Sequence, residues 1–214
     1  MDDKPKAGIK LNHTRAFYPI EEFPKFKLLE ENYQNILQEF LTVTEDRKVR
    51  KSEELLFEPW VEKNLYEESN EEGWDVAPLM IGGNSIEDRC KKFKILHELT
   101  SQISGIVSIS FSLLKPGTHI VPHKGYDDYS ERVLRFHMGL IVPEGDVGIR
   151  VEKEIRKWEN GKSFIFDDFL IHEAWNFSDK DRVVLIIDFL REEKDGSAFV
   201  DSNFNNSIKT YLKN

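Results

Sequence analysis

"GIVSISFSLLKPG", residues 105–117, is the stretch where the hydrophobic pattern changes from a helical period to a period of two. Its large apolar residues alternate with serines, which is typical of a β-strand with one apolar and one polar face. The apolar face comprises Val107, Ile109, Phe111 and Leu113, and the polar face comprises Ser108, Ser110 and Ser112. Such a strand buries its apolar side against other elements, and its serine side is suited to lining a cavity.

Two more stretches repeat this arrangement with charged residues on the polar face. In "VLRFHMGLIV", residues 133–142, every even-numbered position is apolar, whereas Arg135 and His137 share the other face. In "RVVLIIDFL", residues 182–190, Arg182 and Asp188 lie opposite an apolar face. Turn signals separate three shorter candidate strands, "GIRVE", "KSFIFDD" and "IHEAWNF". These patterns predict a mainly β protein, a cupin-like double-stranded β-helix (jelly roll) with N-terminal helices packed on its outside.

The N-terminal half carries two helical patterns. Apolar residues recur at helical spacing from Leu28 to Leu41. A second pattern follows in "NSIEDRCKKFKILHELTSQI", where Ser85 and Asp88 have the spacing of a capping box. We expect a single domain over residues 1–214, with a helical region at about 20–104, a jelly-roll core at about 105–191 and a C-terminal tail at 192–214.

Composition limits the partners. The formal net charge of −9 repels phosphate backbones and anionic membrane surfaces, so we expect neither a nucleic-acid partner nor a membrane partner. The N-terminus "MDDKPKAGIK" lacks the apolar segment of a secretion signal, and no apolar stretch is long enough to span a bilayer. The lone Cys90 cannot form an internal disulfide, which fits a reducing compartment. The sequence predicts a soluble, cytoplasmic protein and leaves its oligomeric state open.

Two histidines occupy the ends of predicted strands. His123 follows "KPGTHIVP", and His172 follows the turn "FDDFL", so antiparallel strands can bring them together. A first-row metal accepts two imidazoles. Histidines this far apart in sequence are weak evidence for a metal site, and a structural role in loops fits them as well.

The order of residues from Ser112 to Asp188 closely resembles the catalytic domain of the aspartyl/asparaginyl β-hydroxylase family. The resemblance rests on "FSLLKPGTHIVPHKG", "LRFHMGLIVP" and "KSFIFDDFLIHEAWNFSDKDRVVLIIDFL", and it extends more weakly upstream through "GWDVAPLMIGG" and "FPKFKLLEENYQNI". Members of this family are Fe(II)- and 2-oxoglutarate-dependent dioxygenases built on a double-stranded β-helix. The resemblance therefore implies Fe(II), 2-oxoglutarate and O2. It also implies hydroxylation of an aspartyl- or asparaginyl-like group of a protein, peptide or amino acid, with release of succinate and CO2.

The resemblance makes His123 and His172 the iron ligands. Most relatives in the wider superfamily carry a carboxylate ligand two residues after the first histidine, where this chain has Gly125. The protein-hydroxylating branch also has glycine there, so we expect water to take the vacant position. Asp127 or Asp128 could instead reach the iron, but we interpret both as loop residues.

Cosubstrate binding is assigned in the same way. Ser112 and Arg182 match the positions that bind the distal carboxylate of 2-oxoglutarate. Arg135 and His137 match residues near the metal-side carboxylate and the substrate, and Arg135 is also expected to be catalytic. His119 matches the motif as well, with support of the loop as its expected role. Turn and packing roles are expected for Trp158, Asp167, Asp168 and Asn176.

One departure from the family pattern leaves the substrate open. Relatives that act on protein aspartate can carry two arginines in this strand, whereas this chain reads Val133-Leu134-Arg135. The alternatives are hydroxylation of a lipid or another small molecule, and a non-catalytic module that binds metal and 2-oxoglutarate without turnover. Retention of Arg182, Ser112 and both histidines favours an enzyme, because a site that has lost turnover has no need to bind a dianion. We expect a free-standing catalytic domain.

Overall fold

The computed structural model describes residue 13 and residues 15–50, 56–60, 62–65, 73–125 and 127–191, so the predicted tail lies outside the described residues. The chain begins with strand β1 (Phe17–Tyr18), two short 3-10 helices (Ile20–Glu22 and Pro24–Phe26), helix α1 (Lys27–Glu31) and helix α2 (Tyr33–Arg50). The first predicted helix is therefore interrupted. Asn32 ends α1, and its side-chain amide donates to the carbonyl oxygen of Leu28 at 2.8 Å.

Residues 56–104 contain strands as well as helices. They form β2 (Glu58–Pro59), a 3-10 helix (Lys63–Leu65), β3 (Trp74–Ile81), β4 (Asn84–Ser85), α3 (Glu87–Cys90) and α4 (Lys94–Ser101). The helix predicted in "NSIEDRCKKFKILHELTSQI" is divided into α3 and α4. The predicted capping box was wrong, because Ser85 lies in β4 and the N-cap residue of α3 is Ile86, which makes no side-chain capping hydrogen bond. Strand β3 was missed. Its Pro78 has no N–H to donate, and the register with the neighbouring strand shifts between Pro78 and Met80.

Eight further strands form the jelly roll, with a short helix α5 (Asp127–Ser130) between the second and third. They are β5 (Ile106–Leu114), β6 (Thr118–His123), β7 (Val133–Ile141), β8 (Val147–Val151), β9 (Glu154–Lys157), β10 (Ser163–Phe166), β11 (His172–Asn176) and β12 (Arg182–Leu190). One sheet has the order β1-β10-β7-β12-β5-β3-β2, with β4 paired to β3, and the other has the order β6-β11-β8-β9. This is the predicted double-stranded β-helix.

The helices cover the outer face of the larger sheet. Phe136 of β7 stacks on Phe26 with ring centroids 4.9 Å apart, and both belong to a buried cluster that also contains Leu29 and Ile36 of the helices. Because successive side chains of a strand alternate between its faces, the residues on either side of Phe136 point between the two sheets. This confirms the predicted parity, which places Arg135 and His137 inside.

Candidate active site

His123 ends β6 and His172 begins β11, and the two residues are directly opposite in the antiparallel register. Their ring centroids are 4.3 Å apart. In each ring Nδ1 lies 2.8 Å from a backbone carbonyl oxygen, that of Val121 for His123 and that of Leu170 for His172. A carbonyl oxygen only accepts, so Nδ1 carries the proton in both rings and Nε2 keeps its lone pair. This is the tautomer that a metal ligand requires.

Burial keeps both imidazoles neutral. Loss of solvation lowers the pKa of His123, and it lowers the pKa of the more deeply buried His172 to about 4. The positive charge of Arg135 acts in the same direction on both, whereas the carboxylate of Asp168 opposes it. Near pH 7 neither ring has a proton to lose before it binds a cation.

A carboxylate that sequence analysis assigned to a turn lies beside this pair. Asp168 is buried, and its Oδ1 is 3.4 Å from Nε2 of His172. Burial alone raises the pKa of this carboxyl, but Arg135 and His172 outweigh it and hold the pKa below its usual value. Among the described residues, no group of three histidine, cysteine, aspartate or glutamate side chains is arranged to hold a metal ion. His123 and His172 therefore remain the candidate protein ligands, with Asp168 as a charged neighbour.

Gly125 is required by the packing around Asp168. Its backbone N–H donates to the carbonyl oxygen of Asp168 at 3.0 Å. A Cβ atom at this position would overlap Oδ2 of Asp168 and Oγ of Ser130. The side chains of Asp127 and Asp128 lie outside the described residues. The position two residues after His123 therefore has no room for a ligating side chain unless its neighbours move.

Arg135 is held between two carboxylates. Its Nε and Nη2 donate to Oδ1 and Oδ2 of Asp188 at 2.6 and 2.9 Å, and its Nη1 lies 2.5 Å from Oδ1 of Asp168. Burial alone lowers the pKa of Arg135, but the two carboxylates outweigh it and raise the pKa above its usual value. The structure thus places Arg135 on the side of the histidine pair, with its charge already balanced by protein anions.

Arg182 has the opposite surroundings. It is 2% exposed, and none of the carboxylates in the described part of the chain forms an ion pair with it. Its Nε has no hydrogen-bond partner, and its guanidinium carbon lies 4.7 Å from the centroid of the Trp158 ring. Burial lowers its pKa to about 9. An unpaired buried charge is costly, so this environment fits an arginine that receives an anionic ligand.

Several neutral polar groups of the interior also have no hydrogen-bond partner among the residues that the structure describes. Buried atoms that make no hydrogen bond include Nδ1 and Nε2 of His137, Nε1 of Trp158 and Oγ1 of Thr118. Burial, and then the charges of Arg135 and Arg182, lower the pKa of His137 well below its usual value. Ser112 is buried and accepts a hydrogen bond from Nε1 of Trp74 at 3.0 Å, which leaves its own hydroxyl proton available. Because buried polar groups are normally paired, this set fits a bound ligand with several oxygen atoms.

The other residues of the motif have structural contacts. Nε2 of His119 lies 2.8 Å from Oε2 of Glu173, which joins β6 to β11 on the face opposite the interior. The side-chain amide of Asn176 donates to the carbonyl oxygens of Leu114 and Lys180 at 2.7 and 2.8 Å, as a turn residue does. Asp167 binds His13 and Arg191. Trp158 differs from its predicted packing role, because it also forms a wall of the interior beside Arg182.

Fold and site together define a jelly-roll protein with a two-histidine candidate metal centre and a separate buried arginine. Residues 30–192 match the family model described as aspartyl/asparaginyl beta-hydroxylase. The chain belongs to this family, as the resemblance in its sequence predicted.

Two curated relatives show how this chain compares within the family. It is 34% identical over 186 residues to an ornithine lipid ester-linked acyl 2-hydroxylase of Rhizobium tropici, covering 86% of this chain and 63% of that protein. It is 35% identical over 172 residues to aspartyl/asparaginyl beta-hydroxylase of Mus musculus, covering 78% of this chain and 22% of that protein. The chain thus spans less than two thirds of the length of either relative.

A crystal structure of a Pseudomonas putida prolyl-4-hydroxylase aligns with 73% of this chain and 87% of its own, with a TM-score of 0.48 and 15% identity. Within the described residues, no helix combines the length and the apolar character needed to cross a membrane.

Proposed function

We propose that this chain is an Fe(II)- and 2-oxoglutarate-dependent dioxygenase that hydroxylates an aspartyl- or asparaginyl-like group of a protein, peptide or amino acid. The observation that carries the proposal is a charge arrangement. Two neutral histidines present unprotonated Nε2 atoms side by side, and a buried arginine in the same interior forms no ion pair with the carboxylates that the structure describes.

His123 and His172 would hold the iron through Nε2, since imidazole nitrogen is a suitable ligand for Fe(II). Their Nδ1–H groups are fixed by backbone carbonyls, so neither ring can rotate without losing a hydrogen bond. Gly125 contributes no ligand, which leaves coordination positions for 2-oxoglutarate, water and O2. Asp168 supplies a fixed negative charge next to His172, in place of a carboxylate bound directly to the metal.

Arg182 would bind the distal carboxylate of 2-oxoglutarate through charge-assisted hydrogen bonds, with the hydroxyls of Ser112 and Thr118 as additional donors. His137 is neutral and carries one N–H, so it can donate to a carboxylate oxygen without adding charge. Bound iron and 2-oxoglutarate supply the oxidation by O2 that yields succinate, CO2 and a hydroxylated substrate. The residues of the chain would hold these groups and orient them.

Anaerobic titration with Fe(II) and 2-oxoglutarate tests the proposal. Chelation of iron by the keto acid is expected to give a charge-transfer band in the visible range, and admission of O2 is expected to release succinate. A non-catalytic binding module would give the band without succinate. Absence of both would exclude the dioxygenase, and His172→Ala is the matched variant in which both signals should disappear.

A second substrate class has specific support. Arg135 is balanced by Asp168 and Asp188, so it is poorly prepared to bind a substrate carboxylate, and one relative is an acyl hydroxylase of ornithine lipid. Acidic peptides, free amino acids, carrier-bound aminoacyl groups and acyl lipids should therefore be screened together. A mass gain of one oxygen that depends on 2-oxoglutarate identifies the substrate. A gain confined to acyl lipids would replace the aspartyl proposal.

A further inference from the structure

Helix α5 brings two buried hydroxyl groups to the side of the histidine pair. It begins four residues after His123, and its last two residues, Tyr129 and Ser130, are 7% and 0% exposed. The Tyr129 hydroxyl donates to Oδ2 of Asp188 at 2.8 Å, and the Ser130 hydroxyl donates to Oδ2 of Asp168 at 3.0 Å. Each hydroxyl is therefore bonded to one of the two carboxylates that hold Arg135.

These hydrogen bonds, together with one ion pair, form a continuous chain across the site. Tyr129 binds Asp188, Asp188 binds Arg135 at two points, Arg135 contacts Asp168, and Asp168 binds Ser130. One guanidinium and two carboxylates leave an excess negative charge in a buried place. Hydroxyl donors stabilise such a charge, and a carboxylate bonded through one named oxygen cannot rotate freely. The second oxygen of Asp168 is thereby kept towards Nε2 of His172.

Gly125 provides independent support for this arrangement. The space that a Cβ at this position needs is taken by Ser130 Oγ and Asp168 Oδ2. The pair Ser130–Asp168 thus occupies the volume in which a side chain two residues after His123 would lie.

We propose that Tyr129 and Ser130 are positioning residues that set the orientation of Asp168 and Arg135 towards the metal. This inference rests on the proposed iron site. The two hydroxyls touch neither metal nor cosubstrate, and they act through the carboxylates that they bind. Their loss is expected to impair the chemical step and to leave 2-oxoglutarate binding at Arg182 intact.

Tyr129→Phe and Ser130→Ala remove the two hydroxyls with little change of volume. Tyr33→Phe and Ser163→Ala are matched controls, since the hydroxyl of Tyr33 donates to the Leu140 carbonyl and that of Ser163 to Glu30, both at contacts between the helical layer and the larger sheet, outside the site. Ser130→Thr keeps the hydroxyl and serves as the conservative rescue. Co(II) alone, bound to the full chain, is the probe of the site that requires no turnover, because its visible absorption responds to the ligand environment.

Both α5 variants are expected to lower kcat by about tenfold or more, as loss of residues that orient a metal site does, with the KM for 2-oxoglutarate changed by less than about twofold. Both α5 variants should also change the Co(II) spectrum. The two control variants should change neither kcat nor the Co(II) spectrum, and Ser130→Thr should stay close to the wild type in both. Unchanged kcat and Co(II) spectra in both α5 variants would overturn the inference, and so would an equal loss in the controls. If the wild type fails to turn over 2-oxoglutarate, the proposed function fails, and the Co(II) spectra alone then decide the role of α5.

Discussion

Replacing Arg182 tests two of its effects separately, the one on 2-oxoglutarate binding and the one on the stability of the ligand-free protein. In the ligand-free protein this guanidinium is buried without an acidic partner in the described part of the chain, and burial lowers its pKa to about 9. In the unfolded chain the pKa keeps its higher, ordinary value, so the folded state binds the proton less well. Below pH of about 9 the residue is charged in both states, and the cost of burying it is present in full. Arg182 therefore lowers the stability of the empty protein at neutral pH.

A bound dianion would give the buried charge of Arg182 a partner, so that Arg182 would stabilise the ligand complex. Truncating one partner of a buried, hydrogen-bonded charge pair costs on the order of 2–5 kcal/mol. At 1.4 kcal/mol per tenfold, Arg182→Met and Arg182→Ala should weaken 2-oxoglutarate binding by roughly thirty-fold or more. Arg182→Lys should restore only part of the affinity, because an ammonium group lacks the planar fork that binds a carboxylate at two points. Arg182→Met keeps most of the volume, so the ligand-free variant should resist denaturant at least as well as the wild type.

Two measurements check these expectations. Calorimetric titration of the Zn(II)-loaded protein with 2-oxoglutarate gives the affinity without turnover, and urea denaturation of the ligand-free protein gives the free energy of unfolding. Iron affinity, measured by competition with a chelator, should be unchanged because the histidines are untouched. Equal 2-oxoglutarate affinity in all four proteins would refute the assignment of Arg182. A large loss of stability in Arg182→Met would show that its role is structural.

Three further changes test the metal side of the site. Removing one of two protein ligands in His123→Ala or His172→Ala should weaken metal binding by more than about 100-fold, measured by chelator competition, whereas alanine at the exposed His97 should have no effect. Gly125→Ala should lower the thermal midpoint and disturb the Co(II) spectrum, because its Cβ overlaps the carboxylate of Asp168; a variant as stable as the wild type would contradict that packing. The pKa of His172 falls from 6.5 to about 4 on folding, so the unfolded chain binds more protons in this interval. Urea denaturation of the metal-free protein should therefore show stability falling as pH drops from 6.5 towards 4, with a smaller slope in His172→Asn.

The interior of the jelly roll was predictable from sequence because a strand alternates its faces. The parity of "VLRFHMGLIV" alone places Arg135 and His137 opposite Phe136, which packs on the helices. The helical half was less predictable. Asn32 ends α1 with its own side chain, and Pro78 gives β3 a pattern unlike that of a central strand. Local features such as these act against the structure that the periodic spacing of apolar residues alone predicts.

The contacts of Asp168 and Ser130 could not be read from sequence. Asp168 follows another aspartate in a turn, and its position in the site depends on the backbone of Gly125 approaching closely enough to donate to its carbonyl oxygen. Ser130 lies in a four-residue helix that carries no periodic pattern. Both contacts join segments that are far apart in the sequence. The histidine pair, by contrast, follows from strand register.

The two interior arginines show how one fold assigns opposite tasks to the same residue type. Arg135 shares its charge with Asp168 and Asp188, and an incoming anion would have to compete with both carboxylates. Arg182 has no such competitor among the described residues, and burial lowers its pKa to about 9. A dianion therefore gains most when one end reaches Arg182. On the side of the histidine pair, the one guanidinium of Arg135 already lies between the carboxylates of Asp168 and Asp188. In the proposed site, this asymmetry would orient 2-oxoglutarate with its distal carboxylate at Arg182 and its keto acid end towards the histidine pair.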